Sequence, residues 1–256
     1  MIDRRIVLIT AAATGLAGVV MNGAGQAQGQ AKQKIQAIGF DGFTIFDPSS
    51  LNKAMEDHFP DRGAQLSTLW RTRQFEYCWL RTLNGKYADF WQVSDDSLEW
   101  AFKTAHVELT ASVKSDLMNS LSELKPFPDS VAALQRMRSA GIRLAYVSNL
   151  TEKMLDVISR NAGISELFEH SLSSDRVRAY KSDPRAYRMA EEAFRLPREA
   201  IVFAAAGGWD AAGAKLFGLD TFWVNRFNAV QENLGVEADR VGGKLTDLAD
   251  YVLAKA

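Results

Sequence analysis

One cysteine, Cys78, stands among 256 residues, so no disulfide can form within the chain, although an oxidising compartment is not excluded. Flanked by Tyr77 and Trp79 with no base beside it, Cys78 reads as a packed thiol and not as a nucleophile. Charge of either sign is not in excess. Thirty Lys and Arg against 31 Asp and Glu give a net charge of -1, which denies the chain the broad basic face that nucleic acid needs. No internal repeat or low-complexity block follows the N-terminal segment. No apolar run reaches the ~20 residues of a membrane span. What is present is ordinary for a globular protein, 47% hydrophobic and 24% charged residues, and the length suggests one or two domains.

The N-terminus carries the first positive signal. Arg4 and Arg5 precede an uncharged stretch from Ile6 to Val20, and Gly25-Gln26-Ala27 has the small-x-small form of a cleavage site. A cationic start, an apolar run and small residues before a cut describe a secretory signal over residues 1–30. The arginine pair fits the twin-arginine route, although Asp3 before it and Ile6-Val7 after it depart from that consensus. An exported chain, in the bacterial periplasm with no stable membrane association once the signal is removed, is the expectation. An uncleaved anchor is the other reading, for which an Ala- and Gly-rich run of about 15 residues is short.

Beyond a polar linker, Ile35 to Phe40 reads as a buried strand ending at Asp41. Residues 49–124 carry helical spacing and many aromatics but no convincing strand, and Pro126 and Pro128 mark their far boundary. Helix and strand then alternate. Helices are expected over 130–140, 153–161, 184–194 and 211–217, and strands over 142–147, 200–204 and 220–224. Alternation of this kind implies an α/β, Rossmann-like, doubly wound parallel sheet. Its ligand site lies beyond the carboxyl ends of the strands. Asp41, Ser148, Asn149 and Asp210 all fall just past strand ends.

Several stretches, in this order, resemble the type II (L-2-) haloacid dehalogenases of the haloacid dehalogenase superfamily. They are Phe40-Asp41 with Phe46-Asp47, the run Trp70 to Tyr77 with Trp79-Leu80-Arg81, Val147-Ser148-Asn149, Tyr180 to Tyr187, and Trp209 to Lys215. The resemblance implies a core domain of residues 31–48 and 125–256 with a helical cap over residues 49–124. It implies a hydrolase that opens carbon–halogen bonds of short L-2-haloacids through an ester on Asp41, with no cofactor and no metal. A small 2-haloacid is the partner, and a homodimer is compatible with it.

The roles follow the same resemblance. Asp41 is the nucleophile, since a carboxylate can displace a leaving group at carbon and divide the hydrolysis into two easier steps. Lys181 pairs with it and favours its ionised form. Ser148 and Asn149 bind the substrate carboxylate and assist halide departure, although such a pair at a strand end also suits a turn or helix cap. Arg71 receives the halide, and Asp210 orients or deprotonates the water. Thr44, Phe43, Thr72, Phe75, Phe90, Tyr187 and Trp209 fall where the family lines its substrate pocket, positions that an ordinary cap core would equally fill with aromatics. Phe43 sits two places after the nucleophile, where the superfamily's phosphatases carry a second Asp. Phenylalanine offers neither a proton nor an oxygen for Mg²⁺, which weighs against a phosphatase-like hydrolase.

Three departures stand out. Thr44 comes one place early, so the nucleophile loop is a residue short. Ala205 and Gly207 replace a Ser and an Asn of the family, thinning the groups that would hold the hydrolytic water. Ser182 replaces a proline. Lost positioning groups cost rate, so a non-catalytic exported binding protein that keeps the pocket is a further reading.

Overall fold

The computed structural model describes residues 34–256; the expected signal over residues 1–30 lies outside them. Chain order runs β1 (Ala37–Phe40), α1 (Gly42–Ile45), β2 (Phe46–Asp47), α2 (Ser49–His58), α3 (Gly63–Leu83), α4 (Phe90–Ala105), α5 (Ala111–Ser120) and β3 (Lys125–Pro126). It continues with α6 (Ser130–Ser139), β4 (Arg143–Ser148), α7 (Glu152–Asn161), β5 (His170–Ser173), α8 (Pro184–Phe194), β6 (Ile201–Ala205), α9 (Gly208–Phe217), β7 (Asp220–Val224), β8 (Arg240–Gly242) and α10 (Leu245–Leu253).

Six strands form one sheet in the order β5-β4-β1-β6-β7-β8, and every pairing in it is parallel. This is the doubly wound sheet that the alternation implies. Strand β1 lies between β4 and β6, with Phe40 level with Tyr146 and Ala204. All four of its residues are buried, as expected where helices cover both faces of a parallel sheet. On one face Ile38 and Phe40 pack with Leu134, Leu155 and Leu248, from α6, α7 and α10. On the other, Ala37 and Val147 pack with Tyr187 and Ala190 of α8 and Ala211 of α9. Each fully buried large apolar side chain contributes roughly 1.5–3 kcal/mol, and both layers are built from such residues. The polar rim thus sits at the end of the central strand.

Among the described residues, 49–124 contribute helices α2–α5 and no strand, as their helical spacing suggests. This helical layer enters and leaves through β2 and β3, which pair antiparallel with Phe46 opposite Pro126. Helices α3 and α4 are joined by Trp70, whose buried indole donates to Ser94 O at 2.9 Å, and by Gln74, whose amide donates to Ser94 Oγ at 2.6 Å. Asp89 caps α4 by accepting from Gln92 N at 2.8 Å, and Thr110 caps α5 through Val113 N. No described helix is long and apolar enough to cross a membrane.

Candidate active site

The end of β1 puts Asp41 at the N-cap of α1, a helix of four residues. Its Oδ1 accepts from Phe43 N at 2.7 Å, the usual reach of an N-cap side chain to the first turn. Thr44 lies fully buried, and its hydroxyl donates to the backbone carbonyl of Asp41 at 2.7 Å. The shortened loop therefore closes as a tight turn, and the Thr44 hydroxyl fastens that turn. The contact that the structure gives the Thr44 hydroxyl is thus with the backbone of the turn.

Lys181, fully buried, brings the carboxylates together. Its ammonium bonds Asp41 Oδ2 closely, Asp210 Oδ2 at 2.7 Å and the carbonyl of Val147 at 3.1 Å. An ammonium has three protons, and all three are engaged, so Lys181 holds the nucleophile and has none left for a substrate carboxylate. Burial alone would lower the lysine's pKa, but the charges of Asp210 and Asp41 outweigh it and raise it. Asp210 sits in the first turn of α9. Burial and the neighbouring Asp41 push its carboxyl up to about 6 against the pull of Lys181. Tyr187 on α8 donates to Asp210 Oδ1 at 2.8 Å, and its own hydroxyl is held far from ionising, by burial and then by the Asp210 charge. Gly213 makes room for that contact, since a Cβ there would stand 2.5 Å from the tyrosine oxygen. Tyr187 thus orients Asp210.

At the end of β4, Ser148 Oγ accepts from Leu150 N at 3.1 Å, the local-turn geometry. Asn149 has a different arrangement. Its Oδ1 accepts from Ser174 Oγ at 2.8 Å and from Lys181 N at 3.1 Å, while its buried Nδ2 donor has no acceptor among the described residues. A buried donor without a partner costs about 1–3 kcal/mol, and an acidic or halide ligand would remove that cost. Arg71 is half-buried on α3 and enters no ion pair among the described residues, and burial lowers its pKa. With Thr72 it lines a cleft of about 350 Å³ that Asn52 and Glu56 also border.

Over the Lys181 loop lies an aromatic trio, with Trp209 at 5.4 Å from Phe75 and 5.5 Å from Trp79, centroid to centroid. Phe43 is half-buried beside Asp41. Phe90 is fully buried at the start of α4, edge-on to Tyr180 at 6.4 Å. Trp209 leans over Gly207, where a Cβ would stand 2.8 Å from the indole Nε1. Asp41 is 7% exposed, so the nucleophile lies under a nearly closed roof.

Four contacts escape sequence reasoning. Trp79 Nε1 donates to Lys181 O at 3.1 Å, and Tyr180 N donates to Thr82 Oγ1 at 3.0 Å, tying the lysine's loop to α3. Ser174 holds Asn149 from a short turn after β5. Arg226, after β7, reaches the nucleophile turn. Trp79 falls within a quoted motif, but no local pattern marks Ser174 or Arg226.

A carboxylate at the end of the central strand, clamped by a buried lysine and faced by a second acid under a helical lid, defines a class of hydrolase. Residues 15–218 match the model of the haloacid dehalogenase-like hydrolases, and the chain belongs to that family. It is similar to the (S)-2-haloacid dehalogenase of Pseudomonas sp. (strain YL), 38% identical over 206 residues, which are 80% of this chain and 89% of that one. Among solved structures, an L-2-haloacid dehalogenase superposes with a TM-score of 0.84 at 38% identity, over 86% of this chain and 100% of its own. The L-2-haloacid dehalogenase of Xanthobacter autotrophicus with chloropropionic acid covalently bound gives a TM-score of 0.81 at 30% identity, over 87% of this chain and 100% of its own.

Proposed function

We propose that this chain hydrolyses short L-2-haloacids to 2-hydroxy acids through an ester on Asp41. The observation that carries the reading is the Asp41–Lys181–Asp210 array at the end of the central strand. Asp41 Oδ2 is held by the ammonium, so Oδ1, bonded among the described residues only by the neutral Phe43 N–H, is the freer oxygen. It attacks C2 from the side opposite the halogen, and the halide leaves with the bonding electron pair. The free Asn149 amide supplies a donor that a departing halide needs, Arg71, from a cleft that Asp41 and Asn149 do not border, is assigned the positive charge by the family resemblance alone, and the Ser148 hydroxyl is a donor for the substrate carboxylate. Water then adds to the ester carbonyl of Asp41. Its proton passes to Asp210, the bond from the Asp41 acyl carbon to the substrate oxygen breaks, Asp210 returns the proton to that oxygen, and Asp41 sheds its carboxyl proton to solvent as the hydroxy acid departs. Aromatic walls at Phe43, Phe75 and Trp209 lower hydration of the attacking carboxylate.

The chemistry is carried by these side chains alone, since Phe43 takes the place of an oxygen ligand. Export to the periplasm is part of the reading on the strength of Arg4, Arg5 and the uncharged run after them. Exposed Leu80 and Leu83 on α3 support pairing of two copies into a homodimer.

Incubating the full chain with L-2-chloropropionate in ¹⁸O-water and EDTA tests the mechanism. Chloride is released, and after many turnovers the peptide bearing Asp41 carries the heavy isotope; Asp41→Asn releases none at early times. Turnover without label in that peptide would refute the ester, and a strict need for added cation would refute the metal-free step.

A further inference from the structure

The nucleophile turn is held from behind by a group that neither the sequence motifs nor the reaction calls on. Arg226, in the segment after β7, donates from Nε and Nη2 to the carbonyl of Thr44 at 3.1 and 3.0 Å. Asp129, at the N-terminus of α6, accepts from Arg226 Nη1 at 2.8 Å and from Nη2 at 3.2 Å. Asp129 is itself fixed by Leu245 N at 2.7 Å, from the start of α10. The guanidinium lies 3.9 Å above the ring of Phe127, and the Arg226 side chain is 8% exposed. Burial alone would raise the Asp129 pKa, but its bonds to Arg226 and Leu245 hold it below the usual carboxylate range.

These contacts meet a specific need. A helix of four residues cannot satisfy its own carbonyls, and α1 carries the nucleophile at its cap. The Asp41 carbonyl takes the Thr44 hydroxyl, and the Ile45 carbonyl takes Phe127 N and Ser130 Oγ, both at 2.9 Å. Among the described residues, the Thr44 carbonyl between them is bound only by Arg226. A planar guanidinium, ion-paired on one edge and bonded to a carbonyl on the other, fixes direction as well as distance in a way that a lysine ammonium does not.

We infer that Arg226, held by Asp129, is a positioning residue for Asp41: it locks the shortened nucleophile turn so that the carboxylate meets C2 at the attack angle. The inference rests on the proposed ester chemistry for its kinetic readout, though not for its structural one. A misplacement of an ångström costs about 100-fold in rate, whereas the groups that bind substrate are on other segments and keep their places.

Arg226→Met, Arg226→Lys and Asp129→Asn in the full chain test this, with L-2-chloropropionate as probe. Single-turnover halide release, KM, melting temperature and backbone amide exchange are measured for each. Arg226→Met slows ester formation about 10- to 100-fold while KM stays within about twofold. Arg226→Lys recovers part of the loss through one donor, and Asp129→Asn falls between. Amide exchange quickens at Phe43 and Thr44 and stays slow in β4. A wild-type rate in Arg226→Met, or a loss matching only the unfolded fraction, overturns the inference, as does exchange at Phe43 and Thr44 that does not change. Were the wild type to release no halide, the proposed reaction would fail, and amide exchange would still decide the role of Arg226.

Discussion

Replacing Tyr187 by phenylalanine removes one oxygen from a packed site and leaves the ring in place. That oxygen donates to Asp210 Oδ1 at 2.8 Å, while Lys181 bonds the other carboxylate oxygen at 2.7 Å. Asp210 is 1% exposed, so no water replaces the lost donor without rearrangement. A hydrogen bond to a charged group contributes about 1.5–3 kcal/mol, and each pKa unit corresponds to about 1.4 kcal/mol. The carboxylate form of Asp210 is the one that loses stabilisation, so its pKa moves upward from about 6 by about one to two units. Asp210 must be ionised to accept the proton of water. Breakdown of the Asp41 ester in the wild type therefore rises with pH as Asp210 ionises, with its midpoint below the value in the free site because the ester removes the Asp41 charge that helps raise the carboxyl, and in Tyr187→Phe that limb shifts to higher pH. Quenched-flow mass spectrometry of the Asp41 peptide, from about pH 5 to pH 9, follows ester decay directly and separates it from ester formation. An unmoved limb, or one displaced to lower pH, would refute the role given to Tyr187 and Asp210.

Two further outcomes are expected. Lys181→Met leaves Asp41 and Asp210 facing each other without the cation between them, and removing one partner of a buried charge cluster costs about 3–5 kcal/mol. Halide release should fall at least about 100-fold, with a lowered melting temperature, and retention of activity within tenfold would count against the lysine's role. Gly207→Ala places a Cβ 2.8 Å from the Trp209 indole. Overpacking of that kind costs about 1–3 kcal/mol and turns the ring away from Phe75 and Trp79, so the tryptophan emission should shift and the chain-length preference change. An unaltered spectrum and melting temperature would show that the indole does not need the glycine.

Much of the sheet is legible because its central strands are short apolar runs, as in Ile35 to Phe40 and Ile201 to Ala204. The edges are not. Strand β5 is His-Ser-Leu-Ser with two half-buried residues, and β8 is three largely exposed residues, so neither carries the hydrophobic signal that burial on both faces writes into a sequence. Helix α10 does carry one, with Leu245, Leu248, Ala249 and Val252 buried at helical spacing, beyond the last strand read from the sequence. At the site, the meeting of Asp41, Lys181 and Asp210 follows from strand ends converging at one rim. The bond from the Thr44 hydroxyl to the backbone of Asp41 is not legible, because residue type alone does not say which partner a hydroxyl takes. Contacts such as Arg226 to Thr44 join segments 182 positions apart through a backbone carbonyl, and a carbonyl has no residue identity for a sequence to show.

The two-residue ribbon of β2 and β3 has a mechanical consequence. Every helix of the lid hangs from one paired doorway, which opens five residues beyond the reacting carboxylate. Any rocking of that lid arrives first at Phe46, within one peptide of α1. There the Ile45 carbonyl is pinned by two donors from the far side of the doorway. The doorway thus anchors both chain ends of the lid beside the floor that bears the attacking oxygen, while Trp79 and Thr82 fasten its far side to the lysine loop.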